Sequence, residues 1–147
     1  IGNYKIITYE KHVNFGPFAK RELKESVKDG YWIWFGQKDG KRTHEGYYKD
    51  GKEDGTWTYY FPGGEKPFQI INYKDGLLDG VFLTFVWRPH YVTSEVHYEK
   101  GLKHGKMYIF NEKQKVLVEK DFIDGVEVGQ HSAQPALYDI RHTSFYS

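Results

Sequence analysis

Residues 46–60 read Gly46-Tyr47-Tyr48-Lys49-Asp50-Gly51-Lys52-Glu53-Asp54-Gly55-Thr56-Trp57-Thr58-Tyr59-Tyr60. Two glycines bracket a short polar run between ring-rich segments. Asp-Gly steps supply the positive-φ positions that a chain reversal needs. The stretch therefore predicts a β-hairpin with a bulged or longer turn. Thr56 to Phe61 is rich in strand formers and lacks helical periodicity. Pro62-Gly63-Gly64 reverses the chain again, and Lys66 to Tyr73 reads as the return strand.

Working outward, the same phrase recurs. Gly51, Gly76 and Gly101 stand 25 residues apart, and Gly30, Gly55, Gly80 and Gly105 keep the same step. Two residues beyond the second glycine column comes a large side chain: Trp32, Trp57, Phe82, Met107. Five residues beyond it comes a ring: Phe35, Tyr60, Phe85, Phe110. Tyr48, Tyr73 and Tyr98 precede the first column, and a shortened copy follows at Phe122-Ile123-Asp124-Gly125 and Gly129. Several columns holding one phase are the mark of a repeat architecture in which no unit buries its rings alone. The expected fold is all-β: tandem antiparallel hairpins in an elongated, twisted single sheet or open meander.

Strand alternation sorts the rings onto two faces. Trp32, Trp34, Trp57, Tyr59, Phe61, Phe82 and Met107 share one; Ile33, Phe35, Thr56, Thr58, Tyr60, Leu83, Phe85, Tyr108 and Phe110 share the other. Equivalent side chains then stack two strand spacings apart, about 10 Å per unit.

The expected organisation is an N-terminal capping segment over residues 1–25, four to five repeats over 26–129, and a C-terminal tail or cap over 130–147. In the first segment Ile6 to Glu10 and Phe18 to Leu23 are candidate strands covering the first edge. The last carries Pro135, Tyr138, Phe145 and Tyr146 without periodicity, and leaves a helical turn over 134–141 open.

Composition narrows the function. Lys plus Arg number 21 and Asp plus Glu 20, a formal net charge of +1. Phosphate-gripping proteins carry a clear basic excess, so nucleic acid is not the expected partner. An anionic membrane surface is disfavoured on the same ground, although peripheral membrane contact stays open. Rings make up 18% of the chain while mean hydropathy is −0.73, which implies a thin structure whose apolar surface comes from amphipathic rings. With no cysteine, disulfides and thiolate metal sites are excluded. No stretch approaches the roughly 20 apolar residues of a membrane helix. The chain opens on Ile1, as a processed or partial chain would, and the expectation is a soluble protein, cytoplasmic or exported.

The phrase over 46–60 resembles the MORN repeat variant of the bacterial antitoxin-repeat family known as YwqK: an aromatic, a Lys-Asn/Asp-Gly turn, an Asp-Gly, then Trp and a Tyr-Tyr pair. The resemblance covers roughly residues 26–129. It implies an elongated antiparallel sheet of hairpins, protein–protein contacts, membrane association in some members and toxin neutralisation in this branch. It implies no catalytic residue and no cofactor. The copies drift, with Leu77-Leu78 after the third turn, an interrupted Trp87-Arg88-Pro89 edge and Met107 in place of Trp. That drift favours a specialised surface over a uniform one.

No catalytic constellation is expected. Asp29, Asp54 and Asp79 recur at one position, which points to turns accepting backbone N–H groups. The serines lie in no nucleophile elbow, and Gly63-Gly64 opens no phosphate loop. The histidines His12, His44, His90, His97, His104, His131 and His142 show no close metal-ligand pair and read as solvated turn residues, with His97 and His104 able to meet across one hairpin. The candidate binding residues are Trp87, Arg88, His90 and Tyr91, where the pattern breaks at a turn, with Trp34 and Tyr59 if their face is open. The expected function is non-catalytic: binding or scaffolding of a protein partner, in one form immunity or antitoxin-like. The alternative is a structural subunit or adaptor of a larger assembly.

Overall fold

A computed structural model describes residues 2–12 and 20–129, with side chains for 2–6 and 25–129. The expectations placed on 130–147, on the helical turn within them and on Phe18 lie outside the described residues, as do His131 and His142.

The chain is all-β. Its strands are β1 (Asn3–His12), β2 (Lys20–Phe35), β3 (Arg42–Lys49), β4 (Lys52–Tyr60), β5 (Pro67–Lys74), β6 (Leu77–Val86), β7 (Tyr91–Glu99), β8 (Leu102–Phe110), β9 (Val116–Ile123) and β10 (Val126–Val128). They form one sheet in chain order, each antiparallel to the last. The expected meander of tandem hairpins is thus what the sequence folds into. Among the described residues no helix is long and apolar enough to cross a membrane.

The two glycine columns do different work. The reversal is a tight two-residue step, with Asp50 at φ 50° and Gly51 at φ 82°. Positive φ at both positions matches the twist of the strands it joins. Asp75-Gly76, Lys100-Gly101 and Asp124-Gly125 repeat it. The second column lies inside the even strands. Tyr47 faces Asp54 and Glu45 faces Thr58, so Gly46 alone opposes Gly55, Thr56 and Trp57. This is a bulge, and Gly55 (φ 74°) and Gly80 (φ 104°) take the conformation it requires. On their other side Gly55, Thr56 and Trp57 stay in regular register with Tyr73, Asn72 and Ile71.

Neighbouring hairpins are stitched at the turns. The N–H of Gly51 donates to the Lys28 carbonyl at 2.9 Å, and Gly76, Gly101 and Gly125 donate to Glu53, Leu78 and Lys103 at 2.8 Å. Two of the three recurring aspartates serve the same junction: Asp29 accepts the Asp50 N–H at 3.1 Å and Asp79 the Lys100 N–H at 3.2 Å. In the fourth copy His104 takes the aspartate's place and approaches the Asp124 carboxylate at 3.4 Å.

Among the described residues the buried apolar side chains are Trp32, Trp57, Ile71 and Phe122, with Trp57 only 2% exposed. All four lie on one face. Each buried Trp sits over a glycine: a Cβ on Gly46 would stand 2.1 Å from the Trp57 ring, and one on Gly2 would stand 2.1 Å from Trp32. Tyr48 meets Trp57 edge-on at 4.9 Å, and Tyr4 meets Trp32 edge-on at the same 4.9 Å. Gly2-Asn3-Tyr4 therefore repeats Gly46-Tyr47-Tyr48, an equivalence the 25-residue period misses because the β1–β2 hairpin is longer than the others. Where the large residue shrinks, its partner grows: Phe82 pairs with Ile71 and Met107 with Val96.

The first hairpin also projects. β2 pairs with β3 only through Gly30–Phe35, whereas Ile6–His12 and Lys20–Ser26 run on, paired with each other.

Candidate functional site

The upper part of the Trp-bearing face carries a row of rings. Hairpin register sets Trp34 of β2 opposite His44 of β3, and His44 opposite Tyr59 of β4. The three side chains stack: Trp34 on His44 at 4.4 Å and 15°, His44 on Tyr59 at 5.2 Å and 14°. Trp57 leans against the row, 5.5 Å from Trp34. All three rings are half-buried. Both faces of the imidazole are covered, so His44 offers only its edge with the ring nitrogens.

The electrostatics follow from this packing. Burial, and then the Lys28 ammonium, push the His44 pKa below its ordinary value. Lys28 lies 5.3, 5.0 and 5.1 Å from the ring centres of Trp32, Trp34 and Tyr48, a cation held against ring faces. Burial raises the pKa of Tyr48 and Tyr59. It also drives Tyr73, coupled to the Tyr59 hydroxyl, up to about 12. The neutral forms of these groups are the ones the face holds.

The opposite face has a smaller polar cluster. The Tyr60 hydroxyl donates to Glu45, Arg42 reaches the same carboxylate at 3.3 Å, and its guanidinium lies 4.6 Å from the Tyr60 ring centre. Arg42 also donates to the Gly64 carbonyl at 3.2 Å. Tyr31, 51% exposed, and Tyr47, 46% exposed, flank it. Burial and then the Glu45 contact push Tyr60 up to about 12.

The other predicted residues lie in the β6–β7 connection. Trp87 is half-buried and packs edge-on against Phe61 at 4.9 Å. The exposed Arg88 lies 5.8 Å from the Trp87 ring centre. His90 stacks flat on Phe85 at 5.0 Å, its Nε2 2.8 Å from the Pro67 carbonyl oxygen. Tyr91 opens β7 and is half-buried. Trp34 and Tyr59 are thus brought together through His44, while Trp87, Arg88 and His90 gather at the rim around Phe61. Phe61 follows the last residue of β4, beyond a register shift at Tyr59/Tyr60, so the rim group is separate from the stack.

The reading of the histidines as solvated turn residues is corrected. His44 is a mid-strand ring in a stack, His90 is packed on Phe85, and His97, within β7, contacts Glu95 at 2.8 Å. The signal for His44 was parity: it shares its strand face with Gly46 and Tyr48, and the Asp39-Gly40 reversal sets it opposite Trp34. Lys28 and Glu45 were overlooked too. Lys28 was legible as the column mate of Lys103, which lies 5.0 Å from the Phe122 ring centre. Among the described residues no group of three or more His, Asp and Glu could hold a metal ion.

No protein-family model matches the chain, and neither a curated protein nor a solved structure matches it.

Proposed function

We propose that this protein is a non-catalytic binding or scaffolding module that presents its ring-lined sheet face to a protein partner. The Trp34–His44–Tyr59 stack carries the reading. Sugars and bases bind aromatic residues by lying on open ring faces, and in this row the rings cover one another. What remains outward is a mixed apolar and hydrogen-bonding edge, the chemistry of a polypeptide interface. A pre-packed row also loses little side-chain entropy on association. The specific form suggested by the YwqK-type resemblance is immunity or antitoxin-like: the face occludes a toxin.

The test is capture of the partner from the native source, followed by alanine substitution. Trp34→Ala or Tyr59→Ala should each weaken binding about tenfold or more, as should Trp87→Ala if the rim belongs to the interface. Unchanged affinity in all three rejects the face.

One observation favours a structural subunit or adaptor. Leu77, Leu102 and Val126 are 52%, 49% and 65% exposed and follow successive turn glycines along one ridge. Constant co-purification with a large complex, disrupted by Leu77→Ser and Leu102→Ser while Trp34→Ala is silent, would select that reading. Flotation with liposomes would select its membrane-peripheral form.

A further inference from the structure

The projecting hairpin is the most unusual part of the architecture. From Ile6↔Ser26 to His12↔Lys20 it is a two-stranded ribbon, and among the described strands none pairs with Lys20–Ser26 on the side away from β1. Ribbons of two strands are marginal in water, and an unpaired edge is a template for another strand. Its internal pairing makes this worse. Glu10 faces Glu22 and Lys11 faces Arg21, like charges placed directly opposite each other.

The outer strand reads Arg21-Glu22-Leu23-Lys24-Glu25. Its order of positive, negative, apolar, positive, negative is self-complementary when reversed. We propose that this edge is a homodimerisation site, in which β2 pairs antiparallel with β2 of a second copy about a two-fold axis at Leu23. In that register Glu22 faces Lys24 of the second copy, Arg21 faces Glu25, and Leu23 faces its own equivalent. Every charged pair is opposite in sign, and the isologous geometry closes at two subunits. Two ribbons become a four-stranded sheet, relieving the instability of each. The ring-lined face stays free, so dimerisation is independent of the partner that face takes.

Sedimentation equilibrium on the whole chain across the micromolar range tests this. The unmodified protein should dimerise, more weakly at high salt. Glu22→Lys should raise the dimer dissociation constant about tenfold or more, although the same change removes the like-charge pair with Glu10 inside the hairpin. The double variant Glu22→Lys/Lys24→Glu restores complementarity across the axis and should return the dissociation constant to within about threefold of the starting value. Near-ultraviolet circular dichroism should be the same in all three. A monomer throughout the range overturns the proposal. So does a dimer indifferent to Glu22→Lys, or one weakened by it and not recovered in the double variant.

Discussion

Gly46 lies beneath Trp57 with no room for a side chain: a Cβ there would meet the indole Cδ2 at 2.1 Å. The Trp57 indole N–H donates to the Tyr47 carbonyl at 3.1 Å, so the ring is held on both its flat and its polar side. Trp32 is fixed in the same way, donating to the Asn3 and Asp29 carbonyls, both at 3.1 Å.

Gly46→Ala is therefore expected to cost about 1–3 kcal/mol through overpacking, read from the urea midpoint at constant slope. The double variant Gly46→Ile/Trp57→Phe copies the Ile71–Phe82 pair of the next unit and should recover part of the loss. A double-mutant cycle showing simple additivity would mean that the two sites are not coupled as described.

Trp57→Ala should cost about 3–5 kcal/mol, since it empties the centre of a single-layer core. Trp34→Ala, at a half-buried ring, should cost clearly less and leave the near-ultraviolet dichroism largely intact. Equal costs for the two would contradict the difference in burial.

His44 makes stability depend on pH. Its folded pKa lies below the ordinary 6.5, so below that pH the unfolded chain binds the proton more readily. The contribution of the neutral ring is present above 6.5 and declines as pH falls from 6.5 toward the folded pKa. His44→Phe keeps a ring in the stack and should flatten this segment of the curve of urea midpoint against pH. An unchanged slope would place its origin elsewhere.

Tyr60 and Tyr73 predict the alkaline limb. Both are raised to about 12 from the usual 10, so their contribution is complete below pH 10 and is lost as pH climbs toward 12. Spectrophotometric titration should show phenols ionising near pH 12, one lost in Tyr60→Phe and one in Tyr73→Phe.

Asp79→Ala removes the acceptor for the Lys100 N–H and should cost about 1 kcal/mol. Protection of the Lys100 amide from hydrogen exchange should drop, with little change at the second turn. Unaltered protection would show that the carboxylate does not serve that turn.

Much of the fold was legible because β structure writes its signals locally. The Asp-Gly steps at 50–51 and 75–76 mark reversals, and alternation from Thr56 to Tyr60 assigns faces without reference to any distant residue. Less was legible at the candidate site. Trp34 and Tyr59 are candidates from sequence only on condition that their face is open, whereas their packing depends on His44, which sits between them only once two hairpins are in register. In the first hairpin the candidate strand Ile6 to Glu10 falls within β1 and Lys20 to Leu23 within β2, but its place in the repeat was hidden: the lengthened hairpin shifts Gly2 and Tyr4 out of the 25-residue phase, although they occupy the same places as Gly46 and Tyr48.

From the order of residues alone follow the all-β class, the period and the sorting of rings into two faces, because turn chemistry and side-chain alternation act over a few residues. The folded sheet alone decides which ring meets which. The one-against-three bulge at Gly46 tips Trp57 over a neighbour that has no side chain, whereas Ile71 and Val96 stand in direct register with the smaller Phe82 and Met107. Contacts of that kind depend on register across strands, and register is a property of the assembled hairpins.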